Sequence, residues 1–159
     1  MSMENLLFTR IDDRLIHGQV CAAWLKSIPA IQHILVIDDK VCQDPFMGEM
    51  FSLLVPNHIS IEIRSVEEAT KLLKEGLKKP TMIIVKVPGT IKQLIDNGID
   101  IDFVNIGGMG MSNGRTKLFQ NISASPEERE IFKELIAKGV KVEVQIIPSA
   151  RQYDIAKLL

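Results

Sequence analysis

The sequence has little of what would move it away from ordinary globular chemistry. Cysteine occurs only at Cys21 and Cys42, and neither belongs to a C-x-x-C or a Cys/His pair with metal-ligand spacing. Cys21 falls in an apolar, helix-like run and reads as a small buried hydrophobe, and two unpaired thiols fit a reducing compartment. Neither sign of charge dominates: the formal net charge is -1, with 25% charged and 46% hydrophobic residues, which excludes a disordered chain and asks for no nucleic-acid partner. Long apolar runs are missing too. Stretches such as Met82-Ile83-Ile84-Val85 fall far short of the roughly 18–20 residues that would cross a bilayer. Met1 to Arg10 carries acidic Glu4 and lacks the basic-then-apolar pattern of a secretory signal, so the expected location is cytoplasmic. A chain of 159 residues is expected to form one domain, 1–159.

What is present is an alternation. Leu6–Ile11 reads as a buried strand, and Gln19–Lys26 as a helix with Val20, Ala23 and Trp24 on one face. His33–Ile37 is a second strand, followed by Asp44-Pro45 as the start of a helix reaching about Val55. Ile59–Ile63 alternates like a strand, and Ser65-Val66-Glu67-Glu68 is a capping box opening a helix toward Gly76. Thr81–Val87 is a strand, Pro88-Gly89 a turn, Thr90–Asn97 a helix. Ile101–Ile106 runs into Gly107-Gly108-Met109-Gly110-Met111, a single short strand is expected at Lys117–Ile122, and Ser125-Pro126-Glu127-Glu128 opens another helix. Val140–Ile147 reads as the last strand and Ser149–Leu159 as a closing helix. The fold class is therefore α/β: a mainly parallel, open sheet with helices on both faces. Ligands of such sheets sit beyond the strands' carboxyl ends, which selects the loops Asp12–Gly18, Asp38–Gln43, Val87–Thr90 and Gly107–Gly114.

The first of these is the densest concentration of ionisable residues: Arg10-Ile11-Asp12-Asp13-Arg14-Leu15-Ile16-His17-Gly18-Gln19-Val20, between a strand and a helix. A helix amino terminus offers unpaired N–H donors and partial positive charge, Arg14 adds a forked cation, and Gly18 lets a bulky anion approach the backbone at Gly18 and Gln19. His17 is the one nucleophile there, with an imidazole suited to accepting a phosphoryl group. Asp12 or Asp13 could hold the other ring nitrogen, or pair with Arg10 and Arg14 to shape the loop; the residues leave both roles open. The plainer reading makes His17 a capping or packing residue among solvated ion pairs. For His33 and His58, with no clustered partner in sequence, the plain reading is preferred. Leu15, Ile16, Met109 and Met111 are candidates for either the core or a docking surface.

The run RIDDRLIHGQV closely resembles the active-site segment of the mannose/fructose/sorbose family of IIB components of the bacterial phosphoenolpyruvate-dependent sugar phosphotransferase system. NIGGM at Asn105–Met109 is similar to that family's NVGGM, and Gly114-Arg115-Thr116 to its GKT, so the resemblance spans nearly the whole chain. It implies that His17 is phosphorylated on Nδ1 by a IIA partner and passes the group to a sugar held by membrane components IIC and IID. It also implies that Arg14 steadies the phosphoryl group, with Arg10, Asp12 and Asp13 organising the loop. No metal or cofactor is called for, the chain would meet the membrane only through its partners, and a homo-oligomer is compatible with it. Arg115 in place of lysine and Val87-Pro88-Gly89 depart from the pattern and leave the sugar unnamed.

Three rival readings are weaker. In Gly107–Thr116 a P-loop fails because Gly110 and Gly114 are one residue too close and Arg115 replaces the lysine, while G-x-G-x-x-G fails at Asn113. Asp38-Asp39 suggests a magnesium-dependent aspartyl-phosphate receiver, but a third carboxylate is lacking and both could cap a helix. A phosphorylation-sensing regulatory module would use the same His17.

Overall fold

The computed structural model describes residues 3–159; Met1 and Ser2, the first residues of the stretch read as lacking a signal, lie outside it. Its strands are β1 (Leu6–Asp12), β2 (His33–Ile37), β3 (Ser60–Arg64), β4 (Thr81–Val85), β5 (Phe103–Gly108), β6 (Thr116–Phe119), β7 (Ile122–Ala124), β8 (Lys141–Val144) and β9 (Tyr153–Asp154). The helices are α1 (Gly18–Ser27), α2 (Met47–Ser52), α3 (Val66–Glu75), α4 (Pro88–Asp96) and α5 (Pro126–Ala137), with 3-10 turns at Val41–Gln43 and Ile155–Leu158. Among the described residues no helix is long and apolar enough to cross a membrane.

Seven strands form one sheet in the order β3-β2-β4-β1-β5-β8-β9, parallel except for β9. The α/β expectation therefore holds, and β1 is the central strand. Both faces are covered. One core layer gathers Ala69 and Leu73 of α3, Ile91 and Leu94 of α4, and Phe132 and Leu135 of α5. The opposite layer holds Cys21, Trp24 and Leu25 of α1 with Phe51 of α2. β1 thus leads to a helix on one face while its neighbour β4 leads to a helix on the other. The loops part above the carboxyl end of β1, the position where open parallel sheets leave a crevice.

Local chemistry accounts for the starts of α3, α4 and α5. Ser65 and Ser125 each accept the N–H of the glutamate three residues on, Glu68 or Glu128, whose carboxylate returns to the serine amide: two complete capping boxes. Pro88 and Pro126 occupy first-turn positions, where a missing N–H costs nothing.

Several boundaries depart from the sequence expectation. Pro88-Gly89 is not a turn before a helix at Thr90 but the first turn of α4 itself, and β4 stops at Val85. Asp44 does not cap a helix from Pro45; it accepts the Phe46 N–H in a tight turn, and α2 begins only at Met47 and ends at Ser52. The single strand expected over Lys117–Ile122 is the antiparallel hairpin β6–β7, turning through Gln120 at φ 49°. β8 ends at Val144: the Gln145 backbone N–H still bonds the Ile106 carbonyl, but its side-chain amide donates to the carbonyls of Pro148 and Ala150 and folds the chain away. The expected closing helix is instead β9 and one 3-10 turn. Asp154 caps the Ala156 N–H, and Tyr153 packs on Phe119 at 4.4 Å, a contact that no local propensity announces.

Candidate functional site

The site is built on the last residues of β1. Arg10 and Asp12 alternate with core-facing Ile11, so both charged side chains turn to the same face and are nearly sealed, at 2% and 0% exposure. A buried arginine needs a partner for every donor. Arg10 Nη1 donates to Asn105 Oδ1 at 2.6 Å and to the Gln145 carbonyl at 3.3 Å; Nη2 donates to Asp12 Oδ2 at 3.1 Å and to the Ile146 carbonyl at 3.0 Å. The guanidinium also lies 5.5 Å from the Trp24 ring, whose Nε1–H bonds the same Ile146 carbonyl. Burial lowers the Arg10 pKa and Asp12 works against that.

Room for this group comes from the next strand. A Cβ at Gly107 would overlap the Arg10 guanidinium, and one at Gly108 would meet Asp12 Oδ1 at 2.5 Å. The register between β1 and β5 slips after Ile11 opposite Ile106, so that Asp12 faces Gly108. The glycines of NIGGM therefore accommodate two buried charges.

Asp12 is the hub. Its Oδ1 accepts the Arg14 backbone N–H at 3.0 Å and Arg14 Nε at 3.2 Å, while Oδ2 lies 3.2 Å from His17 Nε2. Burial alone would raise the Asp12 pKa; the Arg14 amide, the Arg10 charge and the Arg14 side chain outweigh it and hold the carboxyl below its ordinary range. Asp12 thus makes the contacts that both of the roles left open for it require. Asp13 meets neither the imidazole nor Arg10 or Arg14; it accepts the Gly110 N–H at 2.8 Å and lies 3.6 Å from Arg115, tying the glycine loop to this one.

Between Asp12 and His17 the chain makes a tight turn with Leu15 at φ 57°, a conformation that L residues rarely adopt and that costs on the order of 1–3 kcal/mol. Buried Leu15 and Ile16 anchor it. Together with Met109, fully buried, they belong to the core and not to a docking surface; of the four candidates only Met111 is exposed. His17 occupies the N-cap position of α1, but its side chain caps nothing and turns back to Asp12. The first helical bond runs from the Cys21 N–H to the His17 carbonyl, so the amides of Gly18, Gln19 and Val20 precede it, and no acidic side chain lies in the first turn. Around Gly18 there is open space, the imidazole is 26% exposed and Arg14 53%. The hollow lined by Arg10, Asp12 and His17 leaves no room even for a water molecule, against the roughly 300 Å³ of a small-molecule pocket. A groove of about 710 Å³ along β3 is larger but shares no residue with this hollow.

Sequence reasoning missed Asn105, Trp24 and the Gln145 and Ile146 carbonyls, all partners of Arg10 from distant elements. It also left His33 without partners, whereas His33 Nδ1 lies 2.6 Å from Ser60 Oγ and Nε2 3.1 Å from Glu62 on β3. The neighbouring acids are in structural use. Asp38 accepts the Lys40 and Val41 amides, and Asp39 the Val66 amide.

Arg115, the departure from lysine, donates Nε and Nη2 to Glu128 at 2.8 and 2.9 Å and Nη1 to the Gly110 carbonyl. Burial alone would raise the Glu128 pKa; the Arg115 hydrogen bonds and the Ser125 amide bring it below the ordinary value. A lowered carboxylate pKa contributes stability that is complete above about pH 4.3 and is lost as pH falls through the folded value. Glu128→Gln is therefore expected to cost about 1.5 kcal/mol at pH 7, read by urea unfolding, with the gap to the unsubstituted protein closing below pH 4.

With this geometry established, the relatives are informative. The family model described as "PTS system sorbose subfamily IIB component" matches residues 6–159. The chain is 32% identical to the "PTS system fructose-specific EIIB component" of Bacillus subtilis (strain 168), covering 99% of this chain and 97% of the relative. It is 27% identical to the "N-acetylgalactosamine-specific phosphotransferase enzyme IIB component 2" of Escherichia coli (strain K12), over 99% and 100%. The crystal structure of the IIBSor domain of the sorbose permease from Klebsiella pneumoniae superposes with a TM-score of 0.88 at 28% identity, covering 99% of this chain and 95% of that one.

Proposed function

Because the chain belongs to the sorbose-subfamily IIB components of the bacterial sugar phosphotransferase system, we propose that His17 is its phosphoryl carrier, loaded by a IIA partner and emptied onto a sugar presented by membrane components. The observation that carries this is the approach of His17 Nε2 to Asp12 Oδ2. A carboxylate accepts, so Nε2 bears the proton and Nδ1 keeps its lone pair for phosphorus. In the first transfer the donor's N–P bond breaks as the Nδ1–P bond forms in line. In the second, a sugar hydroxyl oxygen bonds phosphorus, Nδ1 leaves with its electron pair, and the hydroxyl proton passes to a base beside the sugar.

This chain's own part is positioning and charge stabilisation. The amides of Gly18 and Gln19 and the Arg14 guanidinium face the space where the phosphoryl oxygens would lie, while Arg10, Asp12 and Asp13 keep the loop in shape. The small hollow at His17 supports a sugar held elsewhere.

The test is incubation with phosphorylated IIA and mapping of acid-labile phosphate. Phosphate on Nδ1 of His17 is expected by 31P NMR, none on His17→Ala, and transfer about 100-fold slower for a normally folded Arg14→Ala, a loss typical of one removed oxyanion donor. Phosphate elsewhere, or undiminished labelling of His17→Ala, overturns the proposal.

A further inference from the structure

Resting on the carrier reading of His17, we infer that the outward face of α2 is the docking surface for the membrane-embedded protein that holds the sugar, whose cytoplasmic face offers apolar residues among basic ones. Four of the eight large apolar side chains exposed among the described residues lie in one stretch: Phe46 at 70%, Met50, Leu53 at 86% and Leu54. The Met50 N–H bonds the Phe46 carbonyl and the Leu53 N–H the Glu49 carbonyl, so helical spacing extends past both ends of α2. That spacing sets Phe46, Met50 and Leu53 in one outward stripe. The opposite stripe, Met47, Phe51 and Val55, packs into the α1 layer. A helix apolar on both faces is ordinarily covered on both, and exposed apolar residues gathered in one place mark an interaction site. No element among the described residues covers the outer stripe, because α2 packs on β3 and β3 is the edge strand.

The charges around the stripe select what covers it. Within 38–54, Asp38, Asp39, Asp44 and Glu49 stand against Lys40 alone. The amides bonded by Asp38, Asp39 and Asp44 leave their negative charge in place. Glu49, one helical turn from both Phe46 and Leu53, is exposed with no side-chain partner among the described residues. Burial raises the Cys42 thiol pKa, and the charges of Glu68, Asp39 and Asp38 raise it further, which fits a negative field here. A second copy meeting this face about a two-fold axis would set these acids against themselves. An anionic lipid surface is repelled by them. The cytoplasmic loops of a membrane protein carry an excess of lysine and arginine, the complement of an apolar stripe with an acidic border. β3 also stands three strands from β1, roughly 14 Å at the usual strand spacing. A contact there holds the chain on its acceptor without covering the loop that the donor must reach.

Two readouts test this: binding of the unphosphorylated chain to vesicles carrying IIC and IID, and delivery of phosphate from the loaded chain to the sugar that those vesicles take up. Phe46→Ser with Leu53→Ser is expected to weaken binding and raise the KM for the loaded chain, about tenfold each, with uptake from phosphorylated IIA within about twofold. Glu49→Lys is expected to raise that KM about threefold and to flatten its dependence on salt. Leu7→Ser, which removes an exposed apolar side chain at the amino end of β1, is expected to change neither readout. An unchanged KM in the double variant, or a loss of uptake from IIA as large as the loss of delivery, overturns the surface while leaving His17 as carrier. Equal binding to vesicles of the same anionic lipid without the two components does the same, as does a dimer that the double variant converts to monomer. If the unsubstituted chain takes no phosphate, the carrier reading falls, while binding that depends on the two components and on Phe46 and Leu53 still upholds the surface.

Discussion

An Asp12→Asn protein is expected to lose about 3 kcal/mol of stability at pH 7 and to accept phosphate about 100-fold more slowly. The stability term follows from burial: Asp12 is fully buried and neutralises Arg10, so removing its charge leaves a sealed guanidinium facing neutral partners only, at a cost of about 3–5 kcal/mol when a buried pair is broken. The rate term follows from the imidazole. An asparagine can donate to Nε2 as readily as accept from it, so the proton is free to sit on Nδ1, the nitrogen that attacks on the proposed reading; a comparable loss of tautomer control in a catalytic His–Asp pair costs about 10⁴. Urea unfolding and transfer kinetics on the same preparation check both. The two effects also separate by pH. Because the Asp12 pKa is lowered in the fold, its stabilisation is complete above about pH 3.9 and disappears as pH falls through the folded value, so the two proteins converge in acid. Equal stability at pH 7 would show that Asn105 and the Gln145 and Ile146 carbonyls satisfy Arg10 without its counter-charge.

Gly107→Ala is expected to cost about 4 kcal/mol or more, enough to abolish soluble expression at 37 °C in a domain of ordinary marginal stability. The added methyl overlaps the Arg10 guanidinium, and neither can yield, because Gly107 lies inside β5 between β1 and β8 while Arg10 is held through both Nη atoms. A double-substitution cycle with Arg10→Met identifies the cause. If the clash is with the guanidinium, the second substitution makes Gly107→Ala much cheaper, a coupling of about 1 kcal/mol or more. Additive losses would place the strain in the backbone. Gly18→Ala is the natural control, since a Cβ there meets nothing within 4 Å.

These two experiments mark the line between what was legible in the sequence and what was not. The proposed carrier histidine, the arginine beside it and the helix start are contiguous, and a run of eleven residues from the end of an apolar strand into an amphipathic helix announces itself. The α/β class follows from the same alternation. The Arg10 partners Asn105 and the Gln145 and Ile146 carbonyls lie 95 to 136 residues away and arrive only when β5 and β8 pair beside β1. Glycine in NIGGM signalled a turn or a ligand, whereas its meaning is the bulk of a side chain from the next strand. Leu15 looked equally fit for core or surface because periodicity cannot register a residue whose φ is positive, and Ile16 and Met109 because they lie in loops outside the period of either flanking element. The end of the chain misled for a related reason: the Tyr153–Phe119 contact joins residues too distant in sequence for either to predict it.

The imidazole stands on an open shelf, not in a closed chamber. Water reaches such a place as easily as any reactant, so a group parked there is perishable, and every pause between arrival and departure leaks some of it to hydrolysis. On the carrier reading, a shelf of this kind works only with quick traffic. The lifetime of the loaded form against solvent, measured with no acceptor present, sets how long the next partner can take to arrive.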